Sequence, residues 1–405
     1  MKNFLGKIDM KEVLLMNNRS CGSKEEKIVK KIVIIAPVLE QRVLKMIKSF
    51  ISLEYEVAVI YSKISKVVVE SLNSLNHLKM YKYEAIINSS IVDYKAKKQI
   101  KDILTDIENA EVFVIRDIFL FYFLRKIIRK NFSNVKLFVD VADNFDLLGN
   151  YLYKIYDPRR YVFNMLTKHA FKSLNEFTDG IYVVCENNKE RLVKTYRVNA
   201  SKIYTIENAA MKNEFKSPHK IKSFNYDYSI VYAGLMDNRI RNFEELLKAL
   251  SIIKQWKLFI YPTSWKGFTE NDFKGLVKKY RLETRVTIYP SVPFEKYLSE
   301  ISKYSFGIIP HFNIPPVQYT LPNKIYDYIV AGIPIITSNV DILRKFVEEN
   351  KIGFAYENYY NLASQLMNLS FEKYKLLKSN TLEASAFYTW EYKSLNMLKK
   401  SVLNS

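Results

Sequence analysis

Glycine, cysteine and histidine are all scarce in this sequence of 405 residues. Its 10 glycines fall well below the ~7% of average usage, which excludes collagen-like and glycine-rich low-complexity chains. Two cysteines, Cys21 and Cys185, are too few for a disulfide framework or a cysteine-based zinc site. The histidines lack the His-Glu-x-x-His spacing of a zinc protease. We therefore expect no metal site built from protein ligands alone.

Long apolar runs are missing as well. No stretch reaches the roughly 18 apolar residues that a membrane-spanning helix needs. Residues 1–27 carry scattered charges and lack the apolar centre of a signal peptide. These absences predict a cytoplasmic protein, with room for peripheral contact with the inner face of the cytoplasmic membrane.

Positive charge, in contrast, is abundant. Sixty-two Lys and Arg against 42 Asp and Glu give a net charge of +20, and 48% hydrophobic residues indicate a folded globular chain. Residues 1–220 hold 38 basic and 25 acidic residues, whereas residues 221–405 hold 24 and 17. An excess of this size suits an anionic small molecule, an anionic membrane or a nucleic acid.

Short apolar runs alternate with helical patterns along the chain. Strands are predicted at 31–38, 55–62, 111–117, 135–143, 179–186 and 202–209, and again at 228–234, 257–262, 285–290, 306–311 and 333–338. Such alternation is typical of parallel βαβ units. A polar stretch near 211–227 separates the two series, so we predict two doubly wound α/β domains, 1–220 and 221–384.

The segment LPNKIYDYIVAGIPIITS gives the sharpest local signal. Pro322 and Asn323 are typical turn and cap residues, a helix is expected from Lys324, and Gly332 ends it. A helix N-terminus presents free N–H groups that suit a phosphate, and Lys324 adds a full positive charge there. Asp327, one turn further, is placed for ribose hydroxyls. The alternative is a solvated lysine and a surface aspartate.

A second signal is YAGLMDNRIRNFEELLKAL. Gly234 follows a strand and permits close backbone approach, and Arg239 and Arg241 precede an amphipathic helix, where they are able to clamp a diphosphate. The alternative is an exposed basic loop.

A third signal is VDVADNFDLLGN, where a buried strand ends in a cluster of acids. Ligands collect at the carboxyl ends of strands in open α/β sheets, so Asp143 is a candidate general base or acceptor-binding residue. Alternatively, Asp143 or Asn144 only caps the next helix.

Aromatic and basic residues are interleaved at 118–132 and again at 150–163. We expect the aromatic side chains of 118–132 to pack in the core of the first domain and the basic end to contact an anionic membrane.

Taken in order, these segments resemble the GT-B glycosyltransferases, most closely those of family 4. The resemblance covers nearly the whole chain: an acid and Arg42 follow the first strand, DVAD ends a later one, and PNKIYDYIVAGIPIITS is the most specific piece. The resemblance implies two Rossmann-like domains facing a cleft, with a C-terminal helix (385–405, containing WEY) that packs back on the first domain. The implied function is sugar transfer from a nucleoside-diphosphate sugar to a glycan or lipid-linked glycan.

The resemblance also implies roles for individual residues. Catalytic roles fall to Asp143, Arg241 and Lys324, and the acceptor side to Arg42, Asp143 and Asn144. The donor-binding residues are Gly234, Arg239, Arg241, Pro290, Ser291, Val292, Asn323, Lys324 and Asp327. In this scheme Arg241 or Arg239 and Lys324 hold the diphosphate, Asp327 binds the ribose, and residues 290–292 lie along the nucleobase. Cationic side chains and a helix N-terminus neutralise the leaving group, so the chemistry requires neither a metal ion nor a cofactor.

Three positions depart from the family pattern. Tyr319 stands where the first acid of the family's Glu-x7-Glu element belongs, and Ala142 replaces a histidine in DVAD. Pro37, Val38 and Leu39 replace a glycine-rich first loop. These departures leave open a catalytically degenerate GT-B subunit or a sugar-nucleotide epimerase.

A non-enzymatic polyanion or nucleic-acid binder is the alternative of another class, although RNP, KH and zinc-finger signatures are missing and we expect no nucleic-acid partner. Richness in Lys, Ile, Asn and Tyr suggests an AT-rich bacterial genome. It thereby favours the synthesis of capsule, lipopolysaccharide or a related surface polysaccharide.

Overall fold

The computed structural model describes residues 30–84, 94–214, 226–292 and 294–403. The predicted domain boundary at 220/221, the segment tested for a signal peptide, Cys21 and His219 lie outside these ranges. All of the predicted site residues lie within them.

Two parallel sheets form the frame of the molecule. The strands of the first are β1 (Lys31–Leu39), β2 (Glu56–Ile64), β3 (Leu78–Lys82), β4 (Ala110–Arg116), β5 (Lys136–Val141), β6 (Gly180–Val183) and β7 (Ile203–Thr205). The strands of the second are β8 (Ser229–Asp237), β9 (Lys257–Lys266), β10 (Val286–Ile288), β11 (Phe306–Ile309), β12 (Ile335–Ser338) and β13 (Gly353–Tyr356).

Helices connect the strands and cover the sheets. The helices before β8 are α1 (Gln41–Ser52), α2 (Val69–Asn73), α3 (Tyr94–Thr105), α4 (Ile118–Asn131), α5 (Phe145–Leu152), α6 (Pro158–Lys172), α7 (Leu174–Phe177) and α8 (Glu186–Tyr196). Those after it are α9 (Phe243–Ile252), α10 (Glu270–Lys279), α11 (Phe294–Ile301), α12 (Asn323–Val330), α13 (Asp341–Glu349), α14 (Tyr359–Met367), α15 (Phe371–Ser385) and α16 (Asn396–Leu403).

The strand order places a chain reversal in each sheet. The first sheet runs β3-β2-β1-β4-β5-β6-β7 and the second runs β10-β9-β8-β11-β12-β13. In the first sheet the chain adds strands on one side of β1 up to β3 and then on the other side from β4 onward. In the second sheet it does the same on either side of β8, with β11 as the first strand of the other side. Ligands of doubly wound sheets bind at such reversals, outside the carboxyl ends of the strands. The order thus indicates one candidate site per domain.

Both sheets are covered by helices on both faces, which explains their continuous apolar strands. In β1 the residues 32–36 are fully buried, and in β8 the same holds for most of the strand before Gly234. Each sheet separates two apolar clusters. The aromatic side chains predicted to be core residues at 118–132 are in that position, because Phe119 and Phe121 of α4 are buried.

The chain returns to the first domain at its C-terminal end. Trp390 is fully buried, and its indole Nε1 donates to Ser49 Oγ of α1 at 2.8 Å. Leu398 and Val402 of α16 join the cluster that lines one face of the first sheet. Residues 390–403 thus tie the second domain to the first.

Two edge strands were not predicted. β3 has the sequence LKMYK and only partly buried side chains, so it lacks the apolar run of the central strands. β13 has four residues and directly follows a turn. Short or polar edge strands are a common way to limit edge-to-edge pairing, and the same features weaken their sequence signal.

Candidate functional site

The candidate site of the second domain lies where β8 and β11 end. After β8 the chain turns back, and Arg241 pairs with His311, directly after β11, in an isolated antiparallel bridge. Backbone hydrogen bonds from Asn242 N to Pro310 O (2.6 Å) and from Phe312 N to Ile240 O (2.8 Å) flank the pair. This pattern makes Arg241 and His311 a non-hydrogen-bonded pair, whose side chains project to the same side.

The N-terminus of α12 adds a second set of donors. Its N-cap is Pro322, with no side-chain cap hydrogen bond, so Asn323 is the first helical residue and not the expected cap. The uncapped N–H groups and the helix dipole favour an anion at this end. Lys324, in the first turn, is buried, and its Nζ lies 4.9 Å from the centre of the Tyr232 ring.

Gly234 leaves the space that Lys324 occupies. Its φ is +127°, and a Cβ at this position would lie 2.5 Å from Lys324 Nζ. The register of β8 shifts between Gly234 and Met236, which indicates a bulge at this point. The structure thus brings together Gly234 and Lys324 from segments 90 residues apart in number.

Within the described ranges, neither Lys324 nor Arg241 forms a salt bridge, although Asp327 acts on Lys324 from one helical turn away. Burial and the nearby Arg241 together lower the pKa of Lys324 to about 7, against the opposing effect of Asp327. Arg241 Nε and Nη1 are buried without a hydrogen-bond partner among the described residues. Such buried donors are costly unless something binds them, so the arrangement suits an anionic ligand.

The two candidate arginines differ in this respect. Arg239 Nε and Nη2 donate to the Asp237 carboxylate at 2.9 and 2.7 Å, and the pair lowers the pKa of Asp237 despite its burial. A bidentate pair of this kind is already satisfied. The geometry therefore favours Arg241 over Arg239 as the group available to a diphosphate.

Asp327 lies one turn along α12 from Lys324. Tyr297 OH of α11 donates to its Oδ2 at 3.2 Å. Burial raises the pKa of Asp327, and the net value is about 6 despite the opposing charges of Lys45 and Lys324. Because Lys45 belongs to α1, the first domain reaches this part of the second-domain site.

The remaining predicted donor residues lie on accessible segments. Pro290 and Ser291 are exposed and Val292 is half-buried, in the loop that follows β10. Asn323 is exposed at the start of α12. Their assignment to the donor stays a prediction.

A cavity of about 180 Å³ marks the reversal of the first sheet. It is lined by Pro37, Val38, Glu40, Arg116, Asp117, Asp143 and Phe145, which follow or end β1, β4 and β5. Arg116 Nη2 lies 2.8 Å from Glu40 and 3.6 Å from Asp143 Oδ2. The proposed catalytic Asp143 therefore lies in a pocket lined by both acidic and basic side chains.

The pKa of Asp143 is raised. Desolvation in the pocket is the largest cause, Glu40 and Asp140 add to it, and Arg116 opposes it. The Asp143 side chain is nevertheless 55% exposed, so water still favours its charged form. An accessible carboxylate of raised pKa suits a general base.

Arg42 has a role that the sequence did not indicate. Its side chain is buried, and Nε and Nη2 donate to Asp140 at 2.8 and 2.7 Å. Nη1 donates to Ile206 O and Asn208 Oδ1. All three guanidinium nitrogens are thus engaged within the protein, which includes a buried ion pair between α1 and β5. The acceptor-side role of Arg42 stays a prediction.

Asn144 occupies the N-cap position of α5, yet its side chain makes no cap hydrogen bond. Instead, Nδ2 lies 3.3 Å from Pro316 O and from Tyr319 O of the second domain, and Oδ1 accepts from Arg191. The helix-cap explanation for this residue is therefore wrong. Asn144 joins the two domains beside Asp143.

Tyr319 replaces the missing acid of the predicted donor element. Its carbonyl accepts hydrogen bonds from Asn144 and from Cys185 Sγ, the latter at 3.3 Å. Its ring lies 5.5 Å from the Arg191 guanidinium. The loop that carries Tyr319 is thus held against the first domain.

His311 and Arg116 are candidate site residues that motif reasoning missed, whereas Glu40 is the acid that follows the first strand in the family pattern. A lone histidine and a lone arginine carry no motif, but both follow or end strands next to a reversal of strand order. That position was a usable signal.

Metal ligands and membrane spans are both missing from the described ranges. These ranges contain no group of three or more His, Cys, Asp or Glu side chains placed to hold a metal ion, and no helix long and apolar enough to cross a membrane. The expected independence from metals and cofactors stays a prediction.

The second domain matches a known protein family. Residues 252–400 match the family described as glucosyltransferase 3-like, C-terminal domain. This segment contains α12 and the C-terminal return to the first domain, but neither the loop of Arg241 nor the first domain.

One curated protein and several solved structures are also similar to this chain. The chain is 26% identical over 155 residues to the chitobiosyldiphosphodolichol beta-mannosyltransferase of Yarrowia lipolytica, which covers 37% of this chain and 33% of that protein. The match thus spans about a third of that relative's length.

Sucrose-phosphate synthase from Thermosynechococcus elongatus has a TM-score of 0.69 at 15% identity, covering 91% of this chain and 98% of that one. HepE from Anabaena, solved with UDP-glucose, has a TM-score of 0.66 at 11% identity, covering 92% and 98%.

These findings confirm the predicted fold. The likeness to solved structures extends over more than nine-tenths of the chain and shows the two Rossmann-like domains of the GT-B architecture. The predicted resemblance to glycosyltransferases is confirmed by the family match in the second domain.

Proposed function

We propose that this GT-B protein is a glycosyltransferase that moves a sugar from a nucleoside-diphosphate sugar to the hydroxyl of a glycan or lipid-linked glycan. The observation that carries the proposal is the cationic site at the N-terminus of α12, next to the reversal of the second sheet, where Lys324 is buried and Arg241 Nε and Nη1 have no hydrogen-bond partner among the described residues. The accessible carboxylate Asp143 lies at the corresponding point of the first sheet.

The second domain supplies the donor half of the reaction. Arg241 and Lys324 neutralise the charge that develops on the departing diphosphate, together with the N–H groups at the start of α12. Asp327 accepts from the ribose hydroxyls, and residues 290–292 lie along the nucleobase. The same cations serve as electrostatic catalysts, so no metal ion or cofactor is needed in this scheme.

The first domain supplies the acceptor half. Asp143 accepts the proton of the acceptor hydroxyl as the new glycosidic bond forms. Glu40 and Arg116 line the same cavity and are able to hydrogen-bond neighbouring hydroxyls of the acceptor. Asn144 holds the two halves together through its contacts with the loop of Tyr319.

Two variants test the two halves separately. Lys324→Ala is expected to weaken binding of a nucleotide-sugar donor by about tenfold or more, since it removes a charge-assisted contact. Asp143→Asn is expected to leave donor binding unchanged and to lower transfer by about 10²- to 10⁴-fold. A donor screen by thermal shift identifies the nucleotide, because ligand binding stabilises the folded state.

The outcome separates this function from its rivals. Release of free or isomerised sugar from the donor, with no dependence on an acceptor, would favour an epimerase. Donor binding without any transfer would favour a degenerate subunit. Salt-sensitive RNA binding without donor binding would favour a polyanion binder. Near wild-type turnover of Lys324→Ala would contradict the assigned donor site.

An anionic membrane surface is the proposed partner of the first domain. Around the α5–α6 turn, large apolar side chains are exposed: Ile155 by 70%, Tyr156 by 94% and Tyr161 by 84%, with Val162 and Met165 beside them. We call these five residues the α5–α6 surface. Lysines 154, 168 and 172 are exposed on the same segment of the chain. Apolar side chains combined with nearby basic ones suit an interfacial, anionic surface.

The α5–α6 surface is connected to the acceptor cavity. Phe145 lines that cavity and begins α5, which leads directly to the exposed turn. A lipid-linked acceptor bound at this surface would present its glycan next to Asp143. Capsule, lipopolysaccharide or a related bacterial surface polysaccharide is the proposed pathway, and the protein is proposed to be cytoplasmic and peripheral on the inner membrane face.

Vesicle flotation tests the membrane proposal. The protein is expected to float with phosphatidylglycerol vesicles and not with phosphatidylcholine vesicles, and Tyr156→Ser with Tyr161→Ser is expected to reduce flotation strongly. Tyr360→Ser is the matched control, because Tyr360 is 64% exposed on α14 of the second domain. Equal flotation with both lipids, or equal loss in the control, would contradict the proposal.

A further inference from the structure

His311 is a buried imidazole whose surroundings leave one nitrogen unsatisfied. The residue is only 6% exposed, and its Nδ1 has no hydrogen-bond partner among the described residues. Its backbone, in contrast, is fixed: Ser338 Oγ donates to His311 O at 2.6 Å, and the bridge to Arg241 holds the other side. A buried polar atom without a partner is destabilising, which points to a ligand that supplies one.

Arg241 shows the same feature next to it. Arg241 Nε and Nη1 are likewise buried and unpartnered within the described chain. Because the two residues form a non-hydrogen-bonded pair, their Cα atoms are about 4.5 Å apart and their side chains project together. Three nitrogens without partners among the described residues therefore belong to two paired side chains on the same side of the chain, beyond the end of β11.

All the charges that act on this imidazole are positive. Burial lowers the pKa of His311 well below its ordinary value, and Arg241 and Lys324 lower it further. In the ligand-free protein the imidazole is accordingly neutral at pH 7. A bound anion would reverse the sign of the local field and stabilise the imidazolium.

We propose that His311 is a third contact for the donor diphosphate and takes up a proton from solvent when the nucleotide sugar binds. The imidazolium then donates a hydrogen bond to a phosphate oxygen, beside Arg241 and Lys324. This inference rests on the proposed donor site, and it adds to that site a residue whose charge appears only in the complex. His311 thereby positions the leaving group and does not touch the acceptor hydroxyl.

Calorimetry measures this proton directly. Binding of UDP-glucose, or of GDP-mannose if UDP-glucose does not bind, is followed at about pH 6 in buffers of different ionisation enthalpy. These donors carry fixed charges on both phosphates, so proton uptake reports on the protein. At this pH Lys324 is already protonated in the free protein, since its pKa is about 7. Uptake of about half a proton or more per donor is expected for the wild type.

His311→Gln and His311→Asn retain polarity but bind no proton. Both are expected to lose most of the uptake and to bind the donor about tenfold more weakly, while the ligand-free unfolding temperature stays within about 2 °C of wild type. His169→Gln is the matched control, because His169 is exposed on α6 of the first domain. It is expected to behave as wild type.

The outcomes distinguish this inference from the function on which it rests. If the wild type binds a donor and both His311 variants keep the full uptake, the inference is wrong and the donor site stands. If neither donor binds the wild type, the donor site and the role of His311 fail together. Uptake lost equally in His169→Gln would also overturn the inference.

Discussion

Gly234 and Lys324 are packed so closely that residue 234 has no room for a side chain. A Cβ at Gly234 would lie 2.5 Å from Lys324 Nζ and 3.0 Å from Cε, and the φ of +127° is one that other residues rarely adopt. The Lys324 ammonium group therefore occupies the space that a side chain at residue 234 of β8 would fill. A sequence with so few glycines uses one of them to place a buried cation.

Gly234→Ala tests this relationship. The new methyl group displaces the Lys324 side chain, and the positive φ adds strain of about 1–2 kcal/mol. We expect donor affinity to fall by about tenfold or more in isothermal titration. The control is Gly275→Ala, because no atom lies within 4 Å of a Cβ built at this position in α10. That change is expected to leave binding unaltered and to stabilise the protein by about 0.5–1 kcal/mol. Equal affinities for the two variants would contradict the role of Gly234.

Arg239 and Arg241 are two residues apart but differ in their partners. The Asp237 carboxylate already satisfies Arg239, whereas two nitrogens of Arg241 are unpartnered among the described residues. We therefore expect Arg241→Ala to weaken donor binding by about tenfold to a hundredfold and Arg239→Ala to change it by less than about threefold. Affinities from fluorescence or calorimetric titration decide between them. A larger effect of Arg239→Ala would show that Asp237 releases its partner on binding.

The pKa of about 7 for Lys324 predicts a pH dependence. Above pH 7 the ammonium loses its proton, and the affinity for an anionic donor is expected to fall by up to about tenfold per pH unit. The unfolded chain keeps this proton up to the ordinary value of 10.5, so it binds more protons than the folded state between about pH 7 and 10. The contribution of Lys324 to the free energy of unfolding therefore rises with pH across this range.

Titrations of donor binding between about pH 6 and 9 check the expectation. Lys324→Gln has no titrating group at this position and should bind weakly with no fall above pH 7. The same pH profile in wild type and Lys324→Gln would assign the titration to another group.

The fold was largely predictable because strands that are buried on both faces appear in the sequence as continuous apolar runs. The central strands of both sheets are continuous apolar runs, and their helices have helical spacing of apolar residues. β3 escaped prediction because its lysines alternate with half-buried residues at a sheet edge. The bounds of the predicted helix from Lys324 were accurate to one residue, since Gly332 ends it with a φ of +67°.

The candidate site was predictable only in part. Lys324, Asp327 and Arg241 stand in a recognisable order along the chain, and the fold places them at one strand reversal. His311 is 70 residues from Arg241 and joins it through a backbone bridge that no local pattern encodes. The sequence also does not show which arginine pairs with a carboxylate. Arg239 pairs with Asp237, whereas two nitrogens of the nearby Arg241 have no partner among the described residues.

The partners of Arg42 were likewise not predictable from the sequence. A variant of Arg42 separates its structural role from acceptor binding. Asp140 is fully buried, and burial alone would raise its pKa, but Arg42 and Arg116 hold it below the ordinary value. Removing Arg42 leaves this carboxylate with a single, longer ion pair to Arg116 at 3.4 Å. Breaking a buried pair by removing one partner costs about 3–5 kcal/mol.

Arg42→Met is therefore expected to lower the free energy of unfolding by about that amount in urea titrations. Because the native pKa of Asp140 is depressed, its contribution to stability is present above the unfolded value of 3.8 and is lost as the pH falls below it. The stability difference between wild type and variant should then shrink in acid. A variant of unchanged stability that fails only to bind acceptor would support the acceptor-side role of Arg42 instead.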